Sequence, residues 1–334
     1  MESRQDVYLL GEEIDEGIRK GGMEMEKKRV EFIKGHMGGD EVVLLYADQI
    51  PEGEEIAVGS SVLAKPSIGG HNSGLLYHSD IADIKVDALD ATCLEPVCLC
   101  GGVTQVLGKA IIETDLASHL GLAIEEPETT VVLETAVGLA RLRILHQDGK
   151  AERVVTEMTA LVEECYAMGV ERVKAAAIDA FRVGPFLVMN GDAAKQAHPD
   201  ITFEEMGEKE FRIFQNAQRD FHDYIKQETS SFSLYDLHST KYSGRLVFPH
   251  GLDQRYYEPS CGAGTVAVGI AMVENGEIDR DGDISLVFEM GGDVFSLGGP
   301  DTMELRLVVQ DKKVRQAYIS HSFVEILATG ELWI

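Results

Sequence analysis

Two short segments of the chain superpose without a gap, and a cysteine heads each. Cys100-Gly-Gly-Val-Thr-Gln-Val-Leu-Gly-Lys-Ala-Ile-Ile-Glu113 matches Cys261-Gly-Ala-Gly-Thr-Val-Ala-Val-Gly-Ile-Ala-Met-Val-Glu274, which begins 161 positions later. The cysteines, Gly101/Gly262, Thr104/Thr265, Gly108/Gly269, Ala110/Ala271 and Glu113/Glu274 are identical pairs. The separation is about one domain length, so a duplicated half-molecule is expected. In the first copy Val103, Val106, Leu107, Ala110 and Ile111 fall on one helical face, as Val266, Ala267, Ile270 and Ala271 do in the second. Each sulfur is thereby expected at a helix N-terminus. Unpaired N–H groups there carry partial positive charge, lower a thiol pKa and can hold a carboxylate.

Two such ends facing one another would flank an anion pocket with two thiols. Inversion of a carbon that bears a proton needs this pairing: one group removes H⁺ from one face and another delivers it to the opposite face. As the proton leaves, the adjacent carboxylate gains enolate character, which N–H donors stabilise. No cofactor is required.

The remaining composition narrows the field. The 334 residues are 44% hydrophobic and 26% charged, the composition of a globular protein of about two domains. Asp and Glu number 57 against 30 Lys and Arg, a net charge of −27, which disfavours nucleic acid and anionic membranes as partners. No run approaches the ~18 apolar residues of a spanning helix. The N-terminal segment lacks the apolar core of a secretory signal, so the expected location is the cytoplasm. Five cysteines (93, 98, 100, 165 and 261) are an odd, sparse set, unlike a disulfide framework. Cys165 reads as a small buried hydrophobe. Cys93, Cys98, Cys100 and Cys261 could instead supply four thiolates to zinc, although their Cys-x-Cys spacing departs from the usual pairs.

The elements that must position these residues are mainly strands. Runs at 41–46, 81–89, 129–133, 138–145, 151–156, 245–248, 284–289, 302–309 and 317–327 read as β, and Asp148-Gly149 marks a hairpin turn. In 138–145, Ala140, Leu142 and Ile144 would share one face while Arg141 and Arg143 take the other. The stretch 195–225 carries Phe and Ile at helical intervals, 68–74 has the composition of a loop, and residues 1–28 look like an acidic helical extension. The segment 124–128 is the candidate linker. Short mixed strands with few helices indicate an α+β fold in two comparable halves.

Several motifs resemble those of the diaminopimelate epimerase and proline racemase superfamily, amino-acid racemases and epimerases that work without pyridoxal phosphate. Cys261-Gly-Ala-Gly-Thr-Val-Ala resembles that superfamily's second cysteine loop and Cys100-Gly-Gly its first. Phe32-Ile-Lys-Gly-His-Met-Gly-Gly-Asp40 is similar to the opening of the epimerases, and Glu134-Thr-Ala-Val-Gly-Leu-Ala140 to the segment that opens the second domain of the racemases. Val183-Gly-Pro-Phe-Leu-Val-Met-Asn190 falls where epimerases carry Gly-Asn-Pro-His, and Gly70-His71 is similar to a Gly-His of the racemases.

The resemblance implies two pseudo-symmetric domains, each a small mixed sheet wrapped around a central helix, with the site in the cleft between them. It assigns 29–126 to the first domain, completed by about 312–334, and 127–311 to the second; it also implies a homodimer. Cys100 and Cys261 would be the paired acid and base. Gly101, Gly102, Gly262, Ala263, Gly264 and Thr265 would offer N–H groups to the substrate carboxylate, and His71 and Asn72 would touch substrate. A Gly-rich turn hosts His and Asn for local reasons as well.

The chain departs from the pattern at Gly102-Val103, Gly39-Asp40 and Pro185-Phe186. The nearest counterparts of the epimerases' Glu-Arg before the second cysteine are Asp253, Arg255 and Glu258, which also read as a solvated loop. The function expected is an isomerase, a racemase or epimerase inverting the α carbon of an amino acid. The alternatives are a proton-shifting isomerase or dehydratase of a carboxylic acid, and a zinc-binding or catalytically decayed relative.

Overall fold

The computed structural model describes residues 28–91, 97, 99–202, 207–225, 231–238, 240–250, 256–290 and 301–334. Cys93, Cys98, Asp253, Arg255 and all but residue 28 of the N-terminal extension lie outside them. Among the described residues the fold is α+β, a mixed sheet system with few helices.

The chain begins with a hairpin of β1 (Arg29–Met37) and β2 (Asp40–Tyr46), joined by Gly38 and Gly39, both at positive φ. Strand β2 runs parallel to β3 (Asn72–Tyr77), after a crossover that contains the helix Glu55–Leu63. β3 pairs antiparallel with β4 (Ile84–Asp90), and β4 pairs parallel with β5 (Glu128–Thr135). Between these last two strands the chain forms the helix Gly101–Glu113. β5, β6 (Gly138–Gln147) and β7 (Lys150–Glu157) then form an antiparallel meander.

The same series of pairings follows again. After the helix Thr159–Met168 come β8 (Val170–Ala175), β9 (Ile178–Val183) and β10 (Phe186–Asn190), each antiparallel to the next. β10 is parallel to β11 (Ser231–Asp236), with the helices Gly191–Ala197 and Glu208–Ile225 in the crossover. β11 is antiparallel to β12 (Gly244–His250), and β12 pairs both with the short β13 (Tyr256–Glu258) and, in parallel, with β14 (Gly282–Met290). The helix Gly262–Asn275 fills the β13–β14 connection. β14, β15 (Thr302–Gln310) and β16 (Lys313–His321) close as a second meander. The meanders touch where β16 pairs with β7, and the last strand, β17 (Val324–Trp333), returns to lie antiparallel to β1.

Both cysteine-headed helices are buried along most of their length, which accounts for their apolar composition. Gly101–Glu113 packs against β1, β2, β3, β6, β7 and β17, and Gly262–Asn275 against β9, β10, β11, β15 and β16. One apolar core contains Val103, Val106, Leu107, Val266, Ile270 and Ala271. A second lies under the helix Glu208–Ile225 through Phe211, Phe214 and Phe221.

The strand expected over 81–89 begins only at Ile84, with Ile81 exposed, and the other strand expectations hold with two further corrections. The 317–327 run is two strands, broken at Ser322 and Phe323. There the Phe323 N–H donates to His321 Nδ1 and Ser322 Oγ accepts from the Thr302 amide, so the chain can leave β15 for β1. The 68–74 loop ends early, because β3 already begins at Asn72. In β6, Ala140, Leu142 and Ile144 are buried and Arg141 and Arg143 exposed, as the alternation requires. Cys165 is fully buried.

Candidate active site

Cys100 and Cys261 are the N-cap residues of the helices Gly101–Glu113 and Gly262–Asn275. Each sulfur accepts from the backbone N–H three residues on, from Val103 at 3.5 Å and from Gly264 at 3.4 Å. The two helix starts abut. A Cβ placed on Gly101 would lie 2.6 Å from the Cα of Gly262, and one on Gly262 would lie 2.7 Å from the Cα of Gly101. Ile319 supports both glycines from the same side chain, with its Cδ1 2.9 Å and 2.6 Å from those positions. Glycine on both sides is what lets the ends meet.

Of the first-turn N–H groups, those of Gly101, Gly102, Gly262 and Ala263 have no helical carbonyl to reach. Gly264 spends its N–H on the Cys261 sulfur. Thr265 turns both its N–H and its hydroxyl back to the Cys261 carbonyl, at 3.0 Å and 2.7 Å, so its expected role as a donor to substrate is not available to it. Thr104 occupies the matching place, its hydroxyl on the Gly101 carbonyl at 3.0 Å.

Carboxylates surround the thiols. Asp40, at the start of β2, is 1% exposed; its Oδ1 lies 3.2 Å from His71 Nδ1 and 3.3 Å from Asn72 Nδ2. The Glu41 amide is 3.4 Å from the same His71 nitrogen. Oδ2 of Asp40 sits against Gly102, 2.3 Å from where a Cβ would be. Glu258, at the end of β13, is also buried, and Pro259 packs under Gly39. His71 and Asn72 are thus held by Asp40, whose other oxygen reaches the first turn of the helix that Cys100 heads.

This environment reverses one expectation. The helix ends do favour the thiolates, through the Val103 and Gly264 N–H groups, but burial outweighs them and pushes both thiols well up. Nearby acids add to the effect, Asp40 foremost at Cys100 and Glu258 foremost at Cys261. Cys100 itself raises Cys261, a sign of their closeness. Burial lifts Asp40 to about 6, against the His71 hydrogen bond that lowers it.

Asp40 and Glu258 are the residues that sequence reasoning underrated. Asp40 figured only as part of a motif, and the solvated-loop reading of Glu258 fails because the side chain is buried. Ser233 and Ser260 were missed outright: both are fully buried with unpartnered hydroxyls, Ser260 directly before Cys261 and Ser233 facing Gly264. Single serines in strands and turns give no signal in sequence. Among the described residues no group of three or more His, Cys, Asp or Glu side chains is arranged to hold a metal ion. A cleft of about 460 Å³ lined by Lys109, Lys150, Arg153 and His321 includes neither sulfur.

No family model and no curated protein sequence matches the chain. Solved structures do. A hydroxyproline epimerase from Agrobacterium vitis with bound trans-4-hydroxy-L-proline superposes with a TM-score of 0.63 at 15% identity, over 92% of each chain. A methylitaconate-delta-isomerase gives 0.58 at 12% identity, over 93% of this chain and 96% of that one. A phenazine biosynthesis protein of the PhzF family from Bacillus anthracis gives 0.57 at 16% identity, over 93% and 100%. The chain therefore has the α+β fold shared by proline racemase-like epimerases, PhzF-family proteins and related isomerases, the fold its cysteine loops resemble.

Proposed function

We propose that the chain is a cofactor-independent racemase or epimerase that inverts the α carbon of an amino acid, with Cys100 and Cys261 exchanging the roles of acid and base. The observation that carries this reading is the abutment of two cysteine-headed helix starts at Gly101 and Gly262. The recurring order of strand pairings, once over β1 to β7 and again over β8 to β16, supports two related halves, with β17 completing the first on β1.

The electrostatics favour a zwitterionic substrate. Its carboxylate would take the free N–H groups of Gly101, Gly102, Gly262 and Ala263. Its ammonium would bring a positive charge beside Asp40 and Glu258, whose charges otherwise hold the sulfurs protonated. With that charge offset, one sulfur can act as base while the other, still a thiol, delivers a proton to the opposite face. The negative charge that develops on the carboxylate meets donors already in place. A second carboxylate would meet acids instead, which argues against a dicarboxylic substrate.

The test is Cys100→Ser and Cys261→Ser, each incubated with pairs of D- and L-amino acids in D₂O. Inversion should fall by about 10²–10⁴-fold in both variants, with incorporation of deuterium at Cα in the wild type. Two variants that retain wild-type inversion and exchange would refute the two-thiol mechanism. Wild-type turnover of a carboxylic acid that relocates a double bond would replace it with a proton-shifting isomerase.

A further inference from the structure

Each thiol has a carboxylate of its own, and the two are held differently. Glu258 precedes Cys261 by three residues on the same segment. Asp40 reaches Cys100 from another element, the start of β2, and three partners fix it there. His71 and Asn72, at the edge of β3, both bind Oδ1, while Oδ2 is pressed against Gly102 in the first turn of the helix that Cys100 heads. Any side chain at position 102 would collide with that oxygen, so Gly102, a departure from the resembled motif, is the residue that admits the carboxylate.

His71 is the exposed end of the arrangement, 29% accessible in its side chain against 2% for Asp40. Among the described residues, the ionisable groups that act on Cys100 are Asp40, Glu258 and Asp90, and those on Cys261 are Glu258, Asp40 and Cys100. All of them are acidic.

We propose that Asp40 is a positioning residue for the proton of Cys100: anchored by His71 and Asn72 against Gly102, in the first turn of the helix that Cys100 heads, it governs that sulfur more than Cys261, whose own segment carries Glu258. The two sulfurs of the proposed mechanism are then unequal, and a substrate of one handedness meets a differently controlled base from its mirror image. This deepens the two-thiol reading and rests on it, but its test needs no turnover.

The folded full-length protein is treated with iodoacetamide without substrate, and modification of each cysteine is followed by peptide mass spectrometry. Removing a nearby negative charge raises the thiolate fraction, and one pKa unit is tenfold in rate at a pH below the thiol's own value. D40N should speed alkylation of Cys100 about tenfold at pH 8 while changing Cys261 much less, and E258Q should invert that order. Equal acceleration of both sulfurs by D40N, or none, in a protein that melts as the wild type does, overturns the proposal.

If D40N does not fold, the wild type decides. The logarithm of the Cys100 rate should flatten above pH 6, where Asp40 ionises, before rising again. A straight line of unit slope overturns the proposal. A wild type inactive on every amino-acid pair would remove the functional reading while leaving the alkylation result to stand or fall alone.

Discussion

Gly101 and Gly262 are the residues on which the site's geometry depends. Their Cα atoms lie so close that a methyl group on either would stand 2.6–2.7 Å from the opposite backbone, a distance that no rotamer change relieves. Gly101→Ala and Gly262→Ala should each destabilise the fold by about 1–3 kcal/mol through overpacking. Each should also move the sulfurs apart, so inversion would fall further than the stability loss explains. Thermal melting alongside Cα–H/D exchange checks this, and an unchanged rate in either variant would contradict the close approach. By contrast, Ala263→Ser leaves a Cβ already present and should fold normally. Cysteine acidity is the second lesson at this scale. A helix N-terminus alone suggests a reactive thiolate, yet burial and the neighbouring acids push both of these half-buried thiols up.

The elements around the site turn on His321, at the end of β16. Its ring lies over Gly38 in the β1–β2 turn, its Nδ1 accepts from the Phe323 amide, and its Nε2 is buried without a partner. Burial depresses it to about 4 from an ordinary 6.5. The unfolded chain therefore takes up this proton first as the pH falls. Stability contributed by the neutral ring is full above 6.5 and is lost on the way down to about 4, roughly 3 kcal/mol in all. Urea unfolding at pH 7 and pH 4.5 should show His321→Asn losing less stability than the wild type across that window, and equal losses would rule the ring out. Neither this contact nor the break at Ser322 was legible in sequence, because 317–327 holds no Gly, Pro, Asn or Asp to mark a turn and a change of neighbouring strand leaves no local mark. The cysteine helices were legible for the opposite reason: glycine, apolar period and cap all lie within fourteen residues. Asp40 and Glu258 required the fold, since their burial arises from segments more than 200 residues apart meeting at Gly39 and Pro259.

At the scale of the whole molecule, the chain's last strand sits on its first. β17 pairs along all of β1, from Arg29 opposite Trp333 to Met37 opposite Val324, and Arg29 binds Glu331 at 2.9 Å while lying over the Trp333 ring. β1 in turn carries the turn that delivers Asp40 to the first thiol. The helix Gly101–Glu113 packs on β17 directly, whereas the helix Gly262–Asn275 packs on β16 and the strands before it. Removal of residues 323–334 should thus act unevenly. β1 would lose one of its two neighbours, leaving its N–H and C=O groups on that side unpaired. In hydrogen-exchange mass spectrometry, β1 to β4 should lose protection, while β9 to β15 retain most of theirs as a separate cooperative unit. Cys100 should become freely alkylated in the truncated protein and Cys261 should not. Loss of protection spread evenly over both halves would mean that the two are one cooperative unit, and the duplication would then be a feature of the pairing order alone.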